Sequence, residues 1–511
     1  MEKNKTKLAA LFSSRGLMST ATSALLIGIV IAVNVIVYAL TVGFGLYIVP
    51  KTETYDLSLS GETDALFADA IENGEKIEVL FCRSEDKMPS SMTDATDNLG
   101  VFYLTACEFL ERYPDLISFE FVNILTRRNS KGETIDLSKY QIKDENGTIY
   151  PIIESSVIFV SGDRHKTIAD AVGTSFVYDE TVSTNSYTAY CGQEIFAAMA
   201  AWVLKEEHKT VYFTSYHSES IDSALGNMIS CAGYEMKIIN LRREPVPEDA
   251  AMVVISNPKT DFERAAEGSS VRSEIERLKT YVEGGGKIYV SLDPFVGKLP
   301  ILESFLAEYG ISYAETEREG TLYRNIIKDS SNSIGSDNLT VVADYSDNEL
   351  SSAIAETVKK YNSSALIVRD CSALELSLGA ESVLVSSSTS ATYAGSARVD
   401  NSGNYCIAAV ADVENKDGEN GRIFVIPSVS LSSNYTLVNS EYANREFIYA
   451  LIDHAFGGDS VPYGCNVIYL NTGILQNLTS AKTRAYTVVL FLIPAALAAV
   501  GAVVVTKRKN R

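Results

Sequence analysis

The sequence predicts an α/β body held outside the cytoplasm between two transmembrane helices. Three observations carry this: two long uncharged stretches near the ends of the 511-residue chain, cations grouped outside both, and strand-like runs alternating with helix-spaced ones between them. No charged residue occurs from Gly16 to Pro50, and its apolar centre, 24–49, would span roughly 39 Å as a helix against a ~30 Å hydrocarbon core. Ala485 to Thr506 is again uncharged, and 485–505 would span roughly 31 Å. Neither stretch has a polar face: the first offers Asn34, Tyr38 and Thr41, the second Tyr486 and Thr487. A cleaved signal peptide fits the first poorly, because its apolar core is too long and no Ala-x-Ala site follows. Pro494 is tolerable in a membrane helix, where neighbouring groups satisfy the carbonyl it frees.

Lys3, Lys5, Lys7 and Arg15 precede the first stretch, and Lys507, Arg508, Lys509 and Arg511 follow the second. The positive-inside tendency puts both ends in the cytoplasm and everything between on the other side. Residues 1–48 carry net +3 and 484–511 net +5, which leaves −29 on the body of a chain whose formal total is −21. A body this acidic argues against nucleic-acid binding, which needs clustered cations.

Residues 55–175 read as one α/β domain. Ile77–Cys82 is strand-like, Leu99, Tyr103, Ala106 and Leu110 keep helical spacing, and Ile117, Phe119 and Phe121 alternate. Ser156–Val160 and His165–Ile168 flank Gly162-Asp163, a hairpin signal. A β-α-β unit followed by a hairpin is the thioredoxin-like plan. Its redox pair is missing, since Cys82-Arg-Ser-Glu85 stands where Cys-x-x-Cys would sit.

Residues 190–460 read as a second α/β domain. Helical stripes around Ile195–Val203, Ile221–Ala232 and Val271–Val282 alternate with apolar runs at Thr210–Thr214, Met236–Ile239, Ala251–Ile255 and Lys287–Leu292. That alternation predicts a doubly covered, flavodoxin-like or Rossmann-like parallel sheet. Residues 320–400, rich in Ser, Asn and Asp, read as an insertion. Tyr405–Val413 and Arg422–Ile426 read as paired strands, and Phe447–Ala455 as a last helix. Residues 461–484 are a linker, 1–23 a cytoplasmic lead-in and 506–511 a short tail.

Candidate chemistry is sparse. The one compact polar constellation is Thr214-Ser-Tyr-His-Ser-Glu219, at a strand's C-terminal end, where layered α/β proteins place ligands. His217 and Glu219 are the candidate acid/base or metal pair, with Asp293 of Leu292-Asp-Pro294 as a third member. The bland alternative, favoured by the local pattern, has Ser218 or Glu219 capping the next helix. Gly284-Gly-Gly286 follows a helix and precedes a strand, the reverse of a phosphate cradle. No Walker-type Gly-x-x-x-x-Gly-Lys-Ser/Thr or Gly-x-Ser-x-Gly elbow occurs, and Ser256 lacks the glycines of a nucleophile turn. The seven cysteines show no metal-finger spacing and read mostly as buried filler, with one or two disulfides left open. No cofactor or metal is expected.

Together these segments resemble the GldG family of ABC-transporter auxiliary proteins, named for gliding motility. The similarity runs through Tyr55-Asp-Leu-Ser58, Lys139-Tyr-Gln-Ile142, Gly192-Gln-Glu-Ile195, Thr210 to Glu219, Val254-Ile-Ser-Asn-Pro258, Tyr281 to Gly286 and Asn444-Arg-Glu-Phe447. In the Gly-His-Gly-Glu segment of that family, Tyr216 and Ser218 replace the glycines here. The resemblance implies thioredoxin-like and class I amidotransferase-like lobes, and association with a permease and a separate ATPase. The expected function is thus a non-enzymatic, membrane-anchored accessory subunit whose body meets a substrate or cell-envelope partner. The alternatives are a tethered hydrolase or amidotransferase-like enzyme using His217, Glu219 and Asp293, and an envelope-binding or sensor module.

Overall fold

The structure, a computed structural model, describes residues 56–470 apart from 93, 96, 144–147, 179–186, 265–272, 336, 417 and 459–460. The two expected membrane spans, 24–49 and 485–505, lie outside the described residues. Within those residues no helix is long and apolar enough to cross a membrane.

The chain is α/β. Its first lobe opens with helix α1 (Asp64–Glu72), strand β1 (Ile77–Phe81), helix α2 (Asn98–Arg112) and strand β2 (Ile117–Asn123). The short β3 (Arg128–Asn129) and the hairpin β4 (Val157–Ser161) and β5 (Arg164–Ile168) complete a sheet of order β3-β2-β1-β4-β5. β1 and β2 are parallel; β4 joins β1 antiparallel and returns as β5 through Gly162-Asp163. Gly162 sits at φ 60°, the left-handed conformation such a tight turn demands.

The second lobe begins with α3 (Gly192–Leu204), β6 (Thr210–Thr214), α4 (Ser223–Cys231), β7 (Glu235–Ile239), β8 (Ala250–Ser256), α5 (Glu274–Glu283), β9 (Lys287–Ser291) and α6 (Pro300–Glu308). Then follow β10 (Thr321–Asp329), β11 (Thr340–Tyr345), α7 (Glu349–Tyr361), β12 (Leu366–Arg369), β13 (Glu381–Ser386), β14 (Ser390–Ala394), β15 (Cys406–Val413), β16 (Gly421–Ile426) and α8 (Asn444–Phe456). The main sheet runs β7-β6-β8-β9-β16-β15-β13-β11. Its first five strands are parallel and the rest antiparallel.

Strand periodicity divides this sheet's side chains between two cores. Val211, Phe213, Val254, Tyr289 and Phe424 face one, which α4 and α8 cover; Tyr212, Val253, Ile255, Val290 and Val425 face the other, which α5 and α6 cover. The region read as an insertion, 320–400, is not set apart. β11, β12 and β13 extend the main sheet, while β10 and β14 pair in a separate small one. Long-range pairing decided this, which no local pattern encodes.

The two lobes are also not separate domains in their packing. One continuous apolar cluster holds Phe67, Phe81, Phe109 and Phe159 of the first lobe with Phe213, Val254 and Phe424 of the second. α3 joins them: all residues from Gly192 to Ala201 are buried, and Phe196 stacks on Phe109 at 4.5 Å and meets Phe159 edge-on at 5.1 Å. Its Gln193 side chain, 1% exposed, ties down both ends of the described chain. Nε2 donates to Leu57 O and Ser58 O at 2.9 and 3.2 Å, while Oε1 accepts from Asn466 N at 2.9 Å. Ser60 Oγ adds a bond to Gly464 O at 2.8 Å.

Replacing Phe196 by Ala is expected to cost ~3–5 kcal/mol, as for other buried aromatic truncations. Denaturant unfolding followed by the one tryptophan, Trp202, and by far-UV circular dichroism should remain a single shared transition; two separated transitions would show that the lobes fold independently.

Candidate functional site

In the main sheet the strand order turns at β6, which lies between β7 and β8. The crevice at the carboxyl ends of β6 and β8 is the position where doubly wound sheets bind ligands. The loop after β6 carries His217 and Glu219 into this place. They do not cap the next helix, as the local pattern favoured, because α4 starts at Ser223 behind Asp222. Glu219 instead folds back: its Oε2 accepts from His217 N at 2.6 Å and its Oε1 meets His217 Nδ1 at 3.0 Å.

A third member comes from far along the chain. Glu274, the first residue of α5, places Oε2 3.1 Å from His217 Nε2. The same oxygen accepts from Glu263 N at 2.7 Å, and Arg242 Nε lies 3.7 Å from Oε1. All three side chains are buried, at 0% for His217, 4% for Glu219 and 1% for Glu274. The Phe262 ring lies flat on the imidazole, 3.9 Å between centroids and 12° between planes.

With both carboxylates ionised, each ring nitrogen donates and the ring is an imidazolium. Burial pulls the His217 pKa down, but the hydrogen bonds to Glu219 and Glu274 outweigh it and raise the value to about 9. Burial likewise opposes the Glu219 charge, and the bonds from His217 hold its pKa below the ordinary value. The helix N-terminus under Glu274 and the nearby Arg242 add favourable charge.

The backbone around His217 is bent to fit. Tyr216 and Ser218 have φ of 97° and 55°, and Asn257, just after β8, has 51°. Such angles cost L-residues on the order of 1 kcal/mol or more each and persist where the surroundings over-determine them. Here the His217 carbonyl accepts from Lys259 N at 2.7 Å and Thr260 N at 3.1 Å. Ser256 Oγ donates to Ser220 O at 2.7 Å, and Asn257 Nδ2 to Ser220 Oγ at 2.9 Å. Ser256 is therefore a latch between loops, its hydroxyl spent on a carbonyl and not on a base.

Asp293 is not brought into the cluster. It pairs with Lys259 Nζ at 3.1 Å, which also reaches Asn257 Oδ1 at 2.7 Å. Sequence reasoning missed Glu274, Phe262 and Arg242. Glu274 did leave a trace: it stands four residues before Leu278 on the buried stripe of α5, where a charge needs a partner. A second buried ionic cluster also went unseen. Glu194 of α3 lies 3.2 Å from Arg445 Nη2 and accepts from Tyr449 OH, and burial raises its pKa despite the arginine.

Chemically the His217 cluster is a clamp. A general base needs a free lone pair, and both ring nitrogens are engaged. A metal needs donors converging on one point, whereas Glu219 and Glu274 sit on different ring nitrogens; among the described residues no group of three or more His, Cys, Asp or Glu could hold an ion. The cysteines are no better as nucleophiles. All seven are unbridged, and burial pushes the thiol of Cys82, at the end of β1, up to about 12.

No family model matches the sequence, and no curated protein matches it. Among solved structures, the mmIFT52 N-terminal domain is 18% identical, covering 49% of this chain and 99% of its own, with a TM-score of 0.37. A ThuA-like protein from Parabacteroides merdae is 11% identical over 52% of this chain and 99% of its own, with a TM-score of 0.29. A glutamine amidotransferase from Thermotoga maritima is 12% identical over 48% and 84%, with a TM-score of 0.23.

Removing the clamp's centre by His217→Gln leaves two buried carboxylates facing each other, and is expected to cost ~3–5 kcal/mol in chemical denaturation of the full chain. His217 is raised in the folded state, so its contribution is complete below ~6.5 and fades as pH climbs toward about 9. The wild-type advantage over His217→Gln should therefore shrink across that window. Ser218→Gly, which loses no side-chain contact on an exposed residue, should raise stability by about 1 kcal/mol; a loss would mean the strain is not there.

Proposed function

We propose that this chain is a membrane-anchored accessory subunit of an ABC-type transport system, acting through binding and not through catalysis. The observation that carries the non-catalytic half is the clamped imidazolium. At the crevice where a doubly wound enzyme keeps its reactive groups, this chain buries a histidine with both nitrogens committed to carboxylates.

The membrane half rests on the uncharged stretches 24–49 and 485–505 and on their basic flanks. The described segments that lead toward them meet on Gln193. The permease and ATPase enter through the resemblance to the GldG family. Tyr216 and Ser218 support that resemblance: both adopt left-handed angles, which glycine takes without strain.

The finer fold follows the same reading. The first lobe is read as thioredoxin-like from its β-α-β-hairpin order, and its buried Cys82 is unbridged and stands outside any Cys-x-x-Cys motif. The second is amidotransferase-like by the same resemblance, without a Gly-x-Ser-x-Gly or Gly-x-Cys-x-Gly elbow in the sequence. ATP hydrolysis on the partner would shift the body through its two tethers.

Affinity purification of the tagged chain from native membranes in mild detergent should recover a permease and an ATPase in comparable amounts. Recovery alone, or release of the intact chain into the soluble fraction without detergent, would overturn the proposal.

A further inference from the structure

In the first lobe β1 and β2 are parallel, so their carboxyl ends share one end of that sheet, where β4, antiparallel to β1, begins. α2 starts at the same end. Arg83, just past β1, reaches the α2 N-cap Asp97 at 2.7 Å and Glu154, ahead of β4, at 3.1 Å. Val101, in the first turn of α2, shares an apolar cluster with Leu57, and Ile468 and Leu470 pack against that cluster. Both ends of the described chain therefore leave the body beside the carboxyl ends of β1 and β2.

This end also displays apolar side chains. Leu125, in the β2–β3 turn, is 90% exposed, and Tyr150 and Ile153, ahead of β4, are 46% and 42% exposed. The turn is built to hold Leu125 out: Leu125 N and Thr126 N donate to Asn123 Oδ1 at 3.0 and 3.1 Å, and Asn123 Nδ2 donates to Ser84 Oγ at 2.9 Å. Arg127, Arg128 and Lys131 are exposed on the same hairpin, and no acidic residue occurs from Phe121 to Gly132. Asp136 lies within electrostatic range of Arg127 but accepts from Ser138 N and Oγ, and Glu85 and Asp86 follow β1. The positive charge is thus local to the hairpin, on a body that is otherwise strongly acidic.

One exposed leucine means little by itself. Grouped with an aromatic, an isoleucine and two arginines, it has the composition of a membrane-interface contact. The length of chain beyond Asp56 says what covers it: six residues, 50–55, separate the expected span 24–49 from Asp56, and fully extended they reach at most ~25 Å. We infer that the β2–β3 hairpin docks on the bilayer from which the chain emerges, with Leu125 in the interface and Arg127 and Arg128 on anionic phospholipid headgroups. Tyr150 and Ile153 add apolar contact at the same end. The inference rests on the reading of 24–49 and 485–505 as membrane spans. It makes the hairpin a third attachment, which sets how the body stands on the membrane.

The test puts a nitrobenzoxadiazole label on Leu125→Cys in the full-length chain, reconstituted alone in nanodiscs, with Asp163→Cys as reference. Asp163 is exposed in the β4–β5 turn, at the opposite end of the same sheet. Signal from the labelled wild-type chain, whose seven thiols are unbridged and mostly buried, is subtracted. In discs containing phosphatidylglycerol the label at 125 should shift to the blue and be quenched by spin-labelled lipid, while the label at 163 stays open to iodide. Adding Arg127→Gln and Arg128→Gln should weaken the lipid quenching, each arginine near an anionic surface being worth about fivefold in partitioning. A label at 125 as open to iodide as the one at 163, in a chain retained by the disc, overturns the inference and leaves the hairpin to a protein partner; unchanged quenching in the double variant overturns it too. Alkaline extraction distinguishes failure of the membrane reading, since a chain without spans is released. That released chain, labelled at 125 and mixed with phosphatidylglycerol vesicles, still decides the hairpin: a blue shift on binding supports it, and none overturns it.

Discussion

The burial of α3 on every side is the constraint on which the rest of the molecule depends. A helix with no polar face must be enclosed, and neither lobe alone can enclose it. Phe196 reaches the first lobe, and the cluster it belongs to continues into the second, so both lobes complete one core. The two polar residues near its start are consequently buried too, and each must find partners. Gln193 finds them in the backbone of the two end segments, Glu194 in Arg445 and Tyr449. One helix thereby organises the fold's centre and its exits.

The His217 cluster solves a different problem with the same chemistry. Loops at the carboxyl ends of parallel strands are usually free to vary, and here they are fastened from within. An imidazolium between two carboxylates bonds the β6 loop to the start of α5, and its backbone carbonyl fixes the segment after β8. Desolvating three charges is expensive, and such clusters tend to specify one arrangement more than they add stability. The strained angles at Tyr216, Ser218 and Asn257 fit that view: the loop is held in one shape against its own preferences.

Much of the architecture was legible because it is local. Gly162-Asp163 between two apolar runs specifies its hairpin, and the apolar runs at 210–214, 251–255 and 287–292 became the central parallel strands. What stayed hidden depends on partners far away in sequence. Thr340–Tyr345 lies among Ser, Asn and Asp and becomes a strand through pairing with Leu366–Arg369 and Glu381–Ser386. His217 and Glu219 stood out as a pair, but their meaning changed once Glu274, 57 positions on, occupied the second nitrogen. Ser218 and Glu219 resembled a helix cap because the same residue types that end helices also form tight polar turns.

Gln193 also has a mechanical consequence. The described chain enters and leaves the body at one corner, so tension applied through its ends falls first on the bonds of Gln193 and Ser60. Leu57, Cys465 and Val467 are buried at the same corner, so a pull strong enough to open it would also bare part of the apolar interior.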